Sequence, residues 1–113
     1  MKKDVKIFLE HILDSIEKTF WSFTIGVSKE EFEKDVKLQD AVIRRLEIIG
    51  EVVKNIPNSF REKHFNISWN KIAGMRDKLI HHYFGVDLVT VWKVVKEDMS
   101  ILKNEIIKIK EPK

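Results

Sequence analysis

The stretch VKLQDAVIRRLEIIGEVVKNI, residues 36–56, decides the fold, because it predicts a long helix with two apolar faces. Its first apolar line recurs at helical spacing and consists of Val42, Leu46, Ile49, Val53 and Ile56. A second line lies on a different side and consists of Ala41, Ile48 and Val52. A helix that buries one face needs only one such line. We therefore expect this helix to pack inside its own bundle and also against a second subunit.

Three further amphipathic segments surround this helix, at residues 4–25, 69–84 and 88–110. Gly26 is predicted to end the first of them, and Ser68 and Asp87 are predicted to cap the other two. Pro57 ends the central helix, and a short charged helix is predicted between residues 28 and 35. The sequence thus predicts an all-α, up-and-down bundle in which residues 1–113 form a single domain.

The composition narrows the class of protein. The 113 residues are enough for one core, and 43% of them are hydrophobic, which argues against disorder. The formal charge of +3 permits nucleic-acid binding without requiring it, since positive and negative residues are interleaved. Cysteine is absent, which excludes disulfides, a thiolate nucleophile and cysteine metal sites. No signal peptide or membrane span is visible, so we expect a soluble cytoplasmic protein.

The segment WNKIAGMRDKLIHHY, residues 69–83, carries the candidate chemistry. Arg76 offers a planar cation that matches phosphate, and His81 can exchange a proton near neutral pH. These groups suit metal-independent cleavage of RNA, in which a base activates the 2′-OH and a cation stabilises the charged phosphoryl group. The structural alternative is that Arg76, Asp77 and Lys78 form a solvated face, with Asp77 and His81 as a local pair.

Helix geometry constrains this candidate site. On an ideal helix Arg76 and Tyr83 are about 20° apart, whereas Arg76 and His81 are about 140° apart. Either the helix loosens before His81, or a second subunit related by a two-fold axis completes the site. No zinc motif and no phosphate-binding glycine loop is present, so neither a metal nor a cofactor is predicted.

The pattern R-x4-H-x-Y, formed by Arg76, His81 and Tyr83, resembles the motif of HepT-like proteins in the HEPN superfamily. The flanks resemble the same family: residues 41–51 its second long helix, residues 69–77 its motif lead-in, and Val86, Asp87 and Trp92 the start of its final helix. The resemblance covers almost the whole chain. It implies a helical bundle that forms homodimers, with the two motifs lining a shared cleft.

The resemblance also implies a function. HepT-like proteins are ribonuclease toxins paired with a minimal nucleotidyltransferase antitoxin, which AMPylates the motif tyrosine. Carried over here, Arg76 would contact phosphate, His81 would be the general acid/base, and Tyr83 would be the modified residue. Asp77 would orient Arg76 or His81. The pattern can also be read as R-x5-H, in which His82 and not His81 is the catalytic histidine.

Two alternatives to the toxin remain. The chain could be a non-catalytic partner that presents nucleotide or substrate to a nucleotidyltransferase. It could also be a structural helical dimer whose motif side chains form interface hydrogen bonds.

Overall fold

The computed structural model describes residues 3–81 and 87–110, apart from the side chains at positions 20–22, 76 and 78–81. This part of the chain forms α1 (Lys3–Glu17), a first π segment (Lys18–Thr24), α2 (Lys29–Lys34), α3 (Val36–Lys54), α4 (Asn58–Lys63), α5 (Trp69–His81), α6 (Leu88–Lys93), a second π segment (Val94–Asp98) and α7 (Met99–Lys110). It contains no strand. The all-α prediction is confirmed.

The central helix α3 begins and ends close to the predicted positions. The Asp35 side chain accepts a hydrogen bond from the Leu38 amide at 3.1 Å and so caps the first turn. The residues of the first apolar line are fully buried: Val42, Leu46, Ile49, Val53 and Ile56. The second line, Ala41, Ile48 and Val52, is only half-buried within the single chain.

The first predicted helix continues from α1 directly into a π segment before it ends. Thr24 Oγ1 donates a hydrogen bond to the Thr19 carbonyl at 2.9 Å, and both residues are buried. Gly26 then adopts φ +73°, a left-handed conformation that glycine reaches without a steric penalty. The predicted stop at Gly26 is confirmed, and the π segment is an addition that the periodicity did not predict.

The last predicted helix likewise continues from α6 through a π segment into α7. Its start is capped by Asp87, whose carboxylate accepts hydrogen bonds from the Val89 amide at 3.0 Å and the Thr90 hydroxyl at 2.8 Å. Lys96, in the second π segment, donates to the Thr24 carbonyl at 3.2 Å. This hydrogen bond therefore connects the two π segments.

The helices pack side by side around one core: α5 lies against α3, α3 against α1, and α1 against α7. Between α5 and the last helix lies an open groove of about 420 Å³, which we call the seam groove. Ile72 and Met75 form its α5 wall, and Met99 and Leu102 form part of its opposite wall. The seam groove is thus an apolar gap along one edge of the bundle.

Candidate functional site

Helix α5 carries the candidate motif, and buried residues fix its position. Trp69 and Ala73 lie in the core, and the Ser68 carbonyl accepts the first helical hydrogen bond, from the Ile72 amide at 3.1 Å. The α-helical backbone continues without interruption through His81. The first way to bring Arg76 and His81 together, a loosening of the helix before His81, is therefore not observed. Their backbone positions remain about 140° apart.

Several predicted site groups lie outside the described residues. The backbones of Arg76 and His81 belong to α5, but their side chains are not described. His82 and Tyr83 lie outside the described residues altogether. The assignment of catalytic and modified residues therefore stays a prediction.

Asp77 is the motif residue whose side chain is described. Its Oδ1 atom lies 2.6 Å from Nζ of Lys54, in the last turn of α3, and accepts a hydrogen bond from it. Both side chains are partly exposed, at 36% for Lys54 and 44% for Asp77. The sequence suggested only local partners for Asp77, and it missed Lys54, which is 23 positions away along the chain.

The backbone of α5 places Arg76 and His81 on different sides. Position 76 lies seven residues after Trp69, which is 4% exposed, so the two positions are about 20° apart on the helix. Position 81 lies seven residues after Gly74, which lines the seam groove. A Cβ atom added at Gly74 would meet no atom within 4 Å. By backbone angle alone, position 76 thus shares a helix side with Trp69, and position 81 shares a different side with Gly74.

The turn before α5 is firmly held and carries a residue that sequence reasoning passed over. The Trp69 indole Nε1 donates to the His64 carbonyl at 3.0 Å, and the His64 ring packs on Phe60 with centroids 4.6 Å apart. Asn66 donates a hydrogen bond to the Glu105 carboxylate on α7. Between these anchors, Phe65 is 85% exposed. Its position off the apolar stripes was the available signal.

Among the side chains described within residues 3–81 and 87–110, no group of three or more from His, Asp or Glu is placed to hold a metal ion. None of the helices in these ranges is long and apolar enough to span a membrane.

Comparison with known proteins identifies the family. The family described as "Ribonuclease HepT-like" matches residues 9–109. The chain is 50% identical over 111 residues to a protein of Thermococcus cleftensis named "Probable ribonuclease HepT", covering 98% of this chain and 100% of that protein. It is 46% identical over 107 residues to a candidate RNase of Caldanaerobacter subterraneus subsp. tengcongensis, covering 95% of each.

A longer relative comes from Methanocaldococcus jannaschii, and its name joins gamma-glutamylcyclotransferase to a candidate RNase. The identity is 55% over 111 residues, which is 98% of this chain but only 50% of the relative, so the chain spans half of that protein. No solved structure gives a significant match. Since the family match covers most of the helical bundle, including the α5 motif, the chain belongs to the Ribonuclease HepT-like family.

Proposed function

We propose that this chain is the toxin of a toxin–antitoxin pair and an endoribonuclease whose Arg/His site is shared between two copies. The observation that carries the proposal is the regular α-helical course of α5 through His81. It keeps Arg76 and His81 on different sides of one helix, so that a second copy is needed to bring the two groups together. Membership in a ribonuclease family supports RNA as the substrate.

The chemistry uses side chains of this motif alone and needs no metal ion. His81 removes the proton from a 2′-OH, and the resulting oxygen attacks the adjacent phosphorus. The bond from phosphorus to the 5′-oxygen breaks, and the protonated His81 returns a proton to this leaving oxygen. Arg76 stabilises the added negative charge on the phosphoryl oxygens. The products are a 2′,3′-cyclic phosphate and a 5′-hydroxyl.

A homodimer is supported by apolar surface that the single chain leaves open. Ile101, at the rim of the seam groove, is 62% exposed, and Gly74 leaves room for close approach of another helix. The half-buried second line of α3 offers further apolar surface. We propose that residues 1–113 form one HepT-like domain and that two such domains associate through such surface.

The cleavage test compares matched histidine variants. Wild-type protein is expected to cut single-stranded RNA in excess EDTA and to leave a cyclic phosphate. His81→Ala should abolish cleavage, while His11→Ala, at an exposed position on α1, should not affect it. Full activity of His81→Ala with loss in His82→Ala would move the catalytic role to His82. Intact RNA at every wild-type concentration would instead favour the non-catalytic partner.

Complementation tests whether the site is shared. Arg76→Ala and His81→Ala are each expected to be inactive, but a mixed dimer keeps one intact pair if Arg76 and His81 come from different copies. Random mixing should then restore about one quarter of the wild-type rate. A mixture that stays inactive after verified subunit exchange would contradict the shared site.

The antitoxin is expected to act on Tyr83. The phenol oxygen attacks the α-phosphorus of ATP, pyrophosphate leaves, and the adenylate adds negative charge that repels RNA phosphate. Incubation with a cognate minimal nucleotidyltransferase and ATP should add the mass of an adenylate to wild type but not to Tyr83→Phe. Equal labelling of both proteins would exclude Tyr83 as the site.

A further inference from the structure

The exposed Phe65 ring stands out because the residues on both sides of it are anchored. His64 is fixed through its carbonyl, which accepts from the Trp69 indole, and through its ring contact with Phe60. Asn66 is fixed by its hydrogen bond to Glu105. Phe65 itself is 85% exposed, the largest value among the exposed apolar side chains of the described residues. The turn therefore exposes an aromatic ring to solvent, and this ring is not part of the hydrophobic core.

A cleft of about 470 Å³ lies beside this ring. Its other walls carry polar groups, among them Asn58, Asn70 and Lys71. Within the described ranges, the side chains of these three residues form no hydrogen bond or ion pair with the protein. The cleft thus combines an aromatic face, amide groups that donate and accept hydrogen bonds, and a free ammonium group.

These three chemistries match the parts of a single nucleotide. A base stacks on an aromatic ring, amide side chains bind base edges, and an ammonium group binds phosphate. Residues 61–71 carry Arg61, Lys63 and Lys71 against one carboxylate, Glu62, so the local charge favours a polyanion. Glu62 lines the same cleft and would repel phosphate, which confines the phosphate to the Lys71 side.

We propose that Phe65 and Lys71 form a subsite for an unpaired nucleotide of the RNA substrate. The base stacks on the Phe65 ring, and an adjacent phosphate contacts the Lys71 ammonium group. The RNA class of the ligand rests on the proposed function. Lys71 lies near the start of α5, and position 81 lies at its end, roughly 15 Å away along the helix axis. The subsite and the motif therefore contact different nucleotides of one strand.

Binding of an RNA analogue that cannot be cut tests the subsite. A fluorescent single-stranded oligonucleotide with 2′-O-methyl groups removes the attacking 2′-OH, so that anisotropy reports affinity alone. Phe65→Ala is expected to weaken binding about tenfold, and Phe65→Tyr to retain it, since stacking needs only the aromatic face. The control Ile25→Ala removes an apolar side chain that is 51% exposed outside the cleft, and it should bind like wild type.

Salt titration tests the ammonium group separately. Lys71→Gln should reduce the slope of log affinity against log salt concentration by about 0.7, the value for one phosphate contact to a single strand. An unchanged slope would overturn the assignment of Lys71. Unchanged affinity in Phe65→Ala, or no binding by wild type, would overturn the subsite.

Two further readouts separate the possible failures. Cleavage by wild type with unchanged affinity in Phe65→Ala would overturn the subsite and leave the ribonuclease intact. Binding that depends on Phe65 without cleavage would overturn the ribonuclease and leave the subsite intact. Light scattering on Phe65→Ala is expected to give the wild-type mass. A lower mass with wild-type RNA affinity per chain would make Phe65 a protein contact and overturn the subsite.

Discussion

The Lys54 ammonium group lies 2.6 Å from Asp77 Oδ1 and joins the last turn of α3 to the middle of α5. Because both side chains are partly exposed, the ion pair is expected to stabilise the fold by no more than about 1 kcal/mol. Its larger effect should be on the orientation of α5, which carries Arg76 and His81.

Lys54→Met and Asp77→Asn are therefore expected to lower RNA cleavage to a similar extent while changing the free energy of unfolding little. If they act through one contact, the double variant should be no less active than either single variant. Lys18→Met is the control, because it breaks an exposed ion pair with Asp14 on the first helix. Independent losses that multiply in the double variant would contradict a positioning role for this pair.

Arg61 is expected to contribute to stability through the end of α3. Its Nη2 donates to the Val53 carbonyl at 2.7 Å and its Nε to the Ile56 carbonyl at 3.0 Å. Lysine keeps the charge but lacks the planar fork that reaches both acceptors. Arg61→Lys should lower the free energy of unfolding by about 1–3 kcal/mol in urea titrations. Lys63→Met, at an exposed neighbouring position, should change it little, and equal effects would refute the capping role.

Ile101 provides the test of assembly through the seam groove. Its side chain is 62% exposed, so Ile101→Asp should leave the monomer fold intact while placing a charge on the rim of the groove. We expect sedimentation to show a mass close to that of one chain, together with loss of RNA cleavage. Val36→Asp, at a position that is 65% exposed and outside the groove, should remain dimeric. A dimeric Ile101→Asp protein would exclude the groove as the interface.

Asp87 should make stability depend on acid pH. Hydrogen bonds from the Thr90 hydroxyl and the Val89 amide, in that order of effect, lower the pKa of its carboxyl below the ordinary 3.8. A carboxyl group whose pKa is lower in the folded than in the unfolded state stabilises the fold at pH values above its unfolded-state pKa. This contribution is lost as the pH falls through the folded-state pKa. Thr90→Val should raise the pKa of Asp87, measured by carboxyl NMR titration. An unchanged pKa would show that the hydroxyl has no such effect.

The long helices were predictable from the sequence because each repeats its apolar residues at helical spacing. Asp87 and Gly26 mark boundaries that the structure confirms. The π segments were not predictable, because one extra residue in a turn leaves the local composition unchanged. The Lys54–Asp77 contact could not be predicted from the sequence either, since it depends on how α3 packs against α5.

For the candidate site, the sequence predicted the divergence of positions 76 and 81, because that angle follows from helix geometry alone. Because α5 stays α-helical through His81, a loosened helix does not bring the two positions together. A second subunit is the remaining way to bring them together. Phe65 was overlooked because its one signal in the sequence, an aromatic residue off the apolar stripes, is weak for a single residue. Its significance depends on the anchoring of its neighbours, which only tertiary contacts reveal.

The two π segments also bear on how the length of this chain can change during evolution. Each is equivalent to one residue inserted into an α-helix, so deletion of one residue within Val94–Asp98 can be absorbed by conversion to α-helix. The side chains of α6 and α7 would then keep their present faces. The same deletion in the middle of α3 would turn the following residues by about 100° and expose the core. Relatives should therefore tolerate gaps at the π segments and not in α3.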